Sequence, residues 1–90
     1  MIVSAEISLY PLEQDFIPVI DDFLACLRAK PNISVRVNAL STQIRGEYRE
    51  VMNILTDCME QSLNQKVKMS FVLKVLNTDI EEFYNDLPGN

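Results

Sequence analysis

The stretch Ile33–Tyr48, "ISVRVNALSTQIRGEY", decides how the chain is built. Its first part alternates, with Ile33, Val35 and Val37 on one side and Ser34, Arg36 and Asn38 on the other. Further on, Thr42 and Ile44 alternate with Ser41, Gln43 and Arg45. Successive side chains of a strand point to opposite faces, so this pattern marks two strands, each with one buried face. The junction "NALS" is too short for a crossover and makes them a hairpin, although it is not a tight two-residue turn of the Asn-Gly kind. Gly46 is expected to relieve the backbone where strand gives way to helix.

Upstream of the hairpin, Ile2–Tyr10 alternates in the same way, with Val3, Ala5, Ile7 and Leu9 on one face and Ser4, Glu6, Ser8 and Tyr10 on the other. Pro11 is expected to end that strand. Asp15 is expected to cap a helix whose first turn accepts Pro18, since that amide needs no helical partner. Phe16, Ile20, Phe23, Leu24 and Leu27 fall on one stripe of it, and Arg28 and Lys30 lie near its negative pole before "KPN" stops it. Downstream, Tyr48, Val51, Met52, Leu55, Met59 and Leu63 form a second helical stripe. Cys26 and Cys58 sit at the edges of the two stripes. After "NQK", Val67, Met69, Phe71, Leu73 and Val75 alternate as a last strand, and "DIEEFYNDL" is expected to add a helical turn or two.

The order is strand, helix, strand, strand, helix, strand. Right-handed crossovers fold such a chain into an α+β, ferredoxin-like βαββαβ sandwich, a four-stranded antiparallel sheet with two helices on one face. The other face is then left uncovered with Ser4, Glu6, Ser8, Tyr10, Ser34, Arg36, Asn38, Ser41, Gln43, Arg45, Ser70, Val72 and Lys74. A face so rich in small hydroxyls, with Tyr10 and Val72 among them, suits the close approach of a second sheet. A chain of this size has a thin core, burying about 60–65% of its unfolded surface, and gains from such burial. A homo-oligomer is the expectation.

Ninety residues, 48% hydrophobic and 23% charged, with two glycines and no low-complexity tract, describe one globular domain over residues 1–90. The net charge of −5, with the eight Lys and Arg scattered, argues against nucleic acid, which needs a basic stripe. No apolar run is long enough for a membrane span, and "MIVSAEISLYPLEQD" lacks the basic start of a leader, so the expected location is cytoplasmic. The two cysteines lack CxxC spacing and read as packing side chains. With no histidine, Ser-His and Cys-His catalysis are excluded and zinc loses its commonest ligand. No cofactor or metal is implied.

The string "NALSTQI" admits two uses. Asn38 and Ser41 can satisfy local backbone as turn chemistry, or the amides and hydroxyls can form a recognition edge for a planar heterocycle with alternating donors and acceptors. Alternation sends Ser41 and Gln43 to one sheet face and Thr42 to the other, so one pocket holds all three only if a bulge intervenes.

The segments "MIVSAEISLYPL", "ISVRVNALSTQIRGEYREVM" and "FVLKVLNTDI" resemble the thiamine-binding, YkoF-like family of small ferredoxin-like proteins, over nearly the whole chain from Ile2 to about Ile80. Leu40 stands where that pattern often has Met. The resemblance implies a non-catalytic protein of vitamin salvage, assembled through its sheets as a homotetramer or dimer. It implies binding of thiamine or its hydroxymethylpyrimidine half as a carrier, buffer or sensor, with Ser8, Asn38, Ser41, Thr42 and Gln43 as ligand-binding residues. For the thiazolium charge, Glu6, Glu13, Glu47 and Asp79 are available, and Tyr10 or Phe71 could stack on a ring. The alternative is a homo-oligomeric regulatory or interaction module without a small-molecule ligand.

Overall fold

In the computed structural model, which describes residues 1–38 and 40–79, the elements follow the expected order. They are β1 (Ile2–Pro11), α1 (Ile17–Arg28), β2 (Ser34–Val37), β3 (Thr42–Glu47), α2 (Tyr48–Leu63) and β4 (Met69–Leu76). The strands form one antiparallel sheet in the order β2-β3-β1-β4, the ferredoxin-like topology. The expected helical turns from Ile80 onward lie outside the described residues.

The alternation sorts the sheet's two faces. On the helix side, Ala5 stands between Ile44 of β3 and Val75 of β4, and Ile7 between Thr42 and Leu73. Val3, Ala5, Ile7 and Ile44 meet Phe23 and Leu27 of α1 and Val51, Leu55 and Cys58 of α2 in one buried cluster. Each fully buried aliphatic or aromatic side chain there contributes about 1.5–3 kcal/mol. Phe23 also packs on Phe71, ring centroids 5.0 Å apart and planes tilted by 55°.

Several boundaries differ from the expectations. Pro11 does end β1, but as its last paired residue, opposite Met69, one residue beyond Tyr10; Leu12 N then donates to Lys68 O at 2.8 Å. The cap of α1 is Phe16, not Asp15, and no side chain bonds there. Phe16 is therefore outside the helix and exposed, and Val19 takes its place on the Val19–Phe23–Leu27 line. On α2 the buried line is Val51, Leu55, Cys58 and Ser62, leaving Leu63 exposed and Cys58 at the centre rather than the edge. This line faces the sheet and α1 together, which a stripe drawn for the sheet alone does not anticipate.

Gly46 lies inside β3, opposite Val3, rather than at a backbone break. A Cβ there would stand 3.2 Å from both Ile33 Cγ2 and Val51 Cγ2, so any larger residue would make α2 or the α1–β2 turn give by a few tenths of an ångström. The start of α2 is held by Glu47, whose carboxylate accepts from Glu50 N, and by Tyr48 N donating to Met1 O at 2.9 Å. The uncovered face is also shorter than expected. Ser4 is only 5% exposed, because the chain beyond β4 turns back over it and Ser4 Oγ donates to Thr78 O at 2.9 Å.

Candidate functional site: a cleft beside the hairpin

The β2–β3 hairpin closes through side-chain chemistry. Asn38 Oδ1 accepts from Leu40 N and Ser41 N, both at 2.9 Å, and Asn38 N donates to Ser41 O at 3.0 Å. An asparagine side chain in this role mimics a backbone turn, which lets a loop without an Asn-Gly pair reverse the chain. Ser8 Oγ of β1 donates to Leu40 O at 3.5 Å, and Ser41 Oγ donates to Glu6 Oε2 at 3.0 Å, tying the loop to the neighbouring strand. Leu40 itself projects outward, 89% exposed.

Between this loop and α1 lies a cleft of about 140 Å³. Ile7 and Leu9 form its sheet side, Ile20, Phe23 and Leu24 its helix side, and Val37 the wall toward β2. Polar groups enter at its rim from Ser8, Tyr10, Asn38 and Ser41, and from deeper in, Thr42. Among the described lining residues none is charged. Thr42 is 7% exposed, and among the described residues no buried side-chain oxygen or nitrogen lacks a partner.

The sequence-expected residues thus divide. Ser8, Asn38, Ser41 and Thr42 come together around the cleft, whereas Gln43 lies on the open sheet face, opposite Glu6, beside a separate hollow of about 120 Å³ with Ser4, Lys74 and Leu76. The β2–β3 register runs unbroken from Val37–Thr42 to Ser34–Arg45, so no bulge brings Gln43 round. Thr42 and Ser41 still share the cleft because they reach the sheet's end from its two sides.

The other groups considered for a ligand are mostly engaged. Glu6 holds the Ser41 hydroxyl and stands 3.7 Å from Lys74 Nζ, Glu47 caps α2, Asp79 pairs with Arg45, and Phe71 is in the core. Tyr10, 53% exposed, lines the cleft. Sequence reasoning missed the apolar walls Ile20, Leu24 and Val37. Their signal was present, since the α1 stripe is wider than the buried line needs, but a stripe does not reveal a gap beneath it.

A family model described as "Thiamine-binding protein" matches residues 5–81. Among solved structures, a Streptococcus pneumoniae protein is 25% identical, with a TM-score of 0.81 over 94% of this chain and 96% of that one. A Thermotoga maritima protein, provisionally placed in thiamine biosynthesis or salvage, is 20% identical with a TM-score of 0.82 over 94% and 97%. A hypothetical protein of Methanocaldococcus jannascii is 20% identical with a TM-score of 0.80 over 93% of each chain. None of the curated proteins matches the chain.

Proposed function

Because the chain belongs to the thiamine-binding protein family, we propose that it binds thiamine through the pyrimidine half, seated in the cleft beside the hairpin. One observation carries the placement: a cleft of about 140 Å³ with apolar sheet and helix sides, polar groups of Ser8, Asn38, Ser41 and Thr42 in its lining, and no charge among its described lining residues. A dry cavity of roughly 150 Å³ accepts one benzene-sized ring. The volume therefore suits a single six-membered heterocycle and not the whole vitamin, and the lack of charge among the described lining residues suits the neutral pyrimidine rather than the cationic thiazolium. Thr42 and the rim hydroxyls can pair with ring nitrogens and an exocyclic amine, while Tyr10 covers a ring face at the mouth. The thiazolium would then stay outside, where the net charge of −5 favours a cation.

In this reading the protein is a non-catalytic, homo-oligomeric carrier, buffer or sensor in vitamin salvage. A sequence without histidine supports binding rather than turnover, and the exposed Tyr10 and Val72 on the open sheet face support pairing of copies. Those same two residues favour the second reading, an assembly module with an empty cleft.

Isothermal titration calorimetry with thiamine and, separately, hydroxymethylpyrimidine tests the choice, with the mass of the assembly measured on the same sample. Saturable binding in which the pyrimidine alone keeps most of the affinity is expected. A well-folded assembly that binds neither compound would establish the second reading instead.

A further inference from the structure

The open sheet face is closed at one end by the chain's own continuation. Past β4, Thr78 O accepts from Ser4 Oγ on β1, and Asp79 reaches one strand further to β3. There its carboxylate accepts from Arg45 Nε at 2.8 Å and from Arg45 Nη2 at 2.5 Å. Three residues, Asn77–Asp79, thus cross from the edge strand to the far side of β1. Ser4, bonded to the crossing, is 5% exposed, while Val72, at the other end of the same face, is 56% exposed.

The contact is built to hold a direction. A two-pronged guanidinium–carboxylate pair fixes orientation as well as distance and is stronger than neutral hydrogen bonds. With the Arg45 and Asp79 side chains 33% and 23% exposed, water screens it only in part. The uncovered end offers a different chemistry: Tyr10 and Val72 among the hydroxyls of Ser8 and Ser70, bordered by Glu6 and Lys74. Glu6 and Lys74, 3.7 Å apart within one copy and both partly exposed, are arranged so that across a twofold axis each can meet the other's counterpart, so a second copy of this chain is the natural occupant of this patch.

We propose that Asn77–Asp79 is a clasp that holds the chain leaving β4 across the Ser4–Arg45 end of the open face, withholding that end from a second copy and leaving the Tyr10–Val72 end for pairing. The pairing part rests on the reading that copies meet through this face. The clasp itself does not.

A thiol in place of Ser4 reports the clasp. In the full chain carrying Ser4→Cys, labelling by a thiol reagent is expected to be slow, with peptide mapping separating this site from Cys26 and Cys58. Adding Asp79→Asn removes the charged acceptor and should speed labelling at residue 4 by about tenfold or more, given the usual strength of hydrogen bonds to charged groups. Asp79→Glu, which keeps the charge, should stay nearer the parent rate. In the otherwise native chain, Asp79→Asn should tighten association in sedimentation equilibrium. Equal labelling in all three backgrounds would overturn the clasp. Faster labelling with an unchanged assembly constant would overturn its control of pairing. Faster labelling in a chain that is monomeric with and without the change would leave the clasp standing and defeat the pairing reading instead.

Discussion

Replacing Thr42 by Val separates what this residue does for the fold from what it does for a ligand, because the first effect is expected to be small and the second large. The side chain is 7% exposed on the helix side of β3, between Ile7 and Val37 in the register, and lines the cleft. Valine has the same shape and exchanges the hydroxyl for a methyl. In the free protein this exchanges a hydroxyl for a methyl in the cleft lining, a change of about 1 kcal/mol or less. In a domain of this size that moves the melting temperature by no more than roughly 4–8 °C. In the complex, a ligand nitrogen loses its partner, costing about 1–1.5 kcal/mol, or about tenfold in affinity. Thermal unfolding of the ligand-free protein and calorimetric titration with hydroxymethylpyrimidine measure the two quantities. A small shift in melting temperature with unchanged affinity would remove Thr42 from the site. A melting temperature lowered by more than about 8 °C would show that the hydroxyl serves the fold.

Asn38→Ala should cost about 1–2 kcal/mol in urea unfolding, through loss of the two bonds its Oδ1 accepts, and should weaken ligand binding because the loop walls the cleft; Asn38→Asp, which keeps the acceptor, should recover most of both. Gly46→Ala should destabilise by about 1–3 kcal/mol, since the new methyl meets Ile33 and Val51 at 3.2 Å in a packed interior, and a substitution tolerated without cost would refute the close-approach reading. The Cys58 thiol is pushed up from 9.0 to about 12, chiefly by burial and then by its hydrogen bond and charge interaction with Cys26. The folded chain therefore keeps a proton that the unfolded chain releases. This group's contribution is full below pH 9 and is lost as the pH rises from 9 toward 12, at up to about 1.4 kcal/mol per pH unit. Urea midpoints between pH 8 and 11 should fall more steeply for the native chain than for Cys58→Ala.

The alternation in Ile2–Tyr10, Ile33–Val37 and Thr42–Arg45 was enough to identify the strands and their faces, because a strand's period is a local property of the backbone. The same local rule put Ser41 and Gln43 on one face and Thr42 on the other. The element order then restricted the topology, and the family resemblance pointed to the hairpin. What the period leaves open is which neighbour a face meets. Cys58 belongs to the core because α2 is flanked by α1 as well as the sheet, and Phe16 is exposed because the helix starts after it. Gly46 meets a methyl from α2 and another from the α1–β2 turn at close range. The cleft arises where Ile20 and Leu24 of α1 stand off from Leu9 and Val37, and Gln43 falls outside it. Ser4 is covered by Thr78, 74 residues further along the chain. Sequence pattern determines the orientation of a side chain relative to its own backbone. Only the packing of segments distant in the chain decides whether that side chain finds a core, a gap or a clasp.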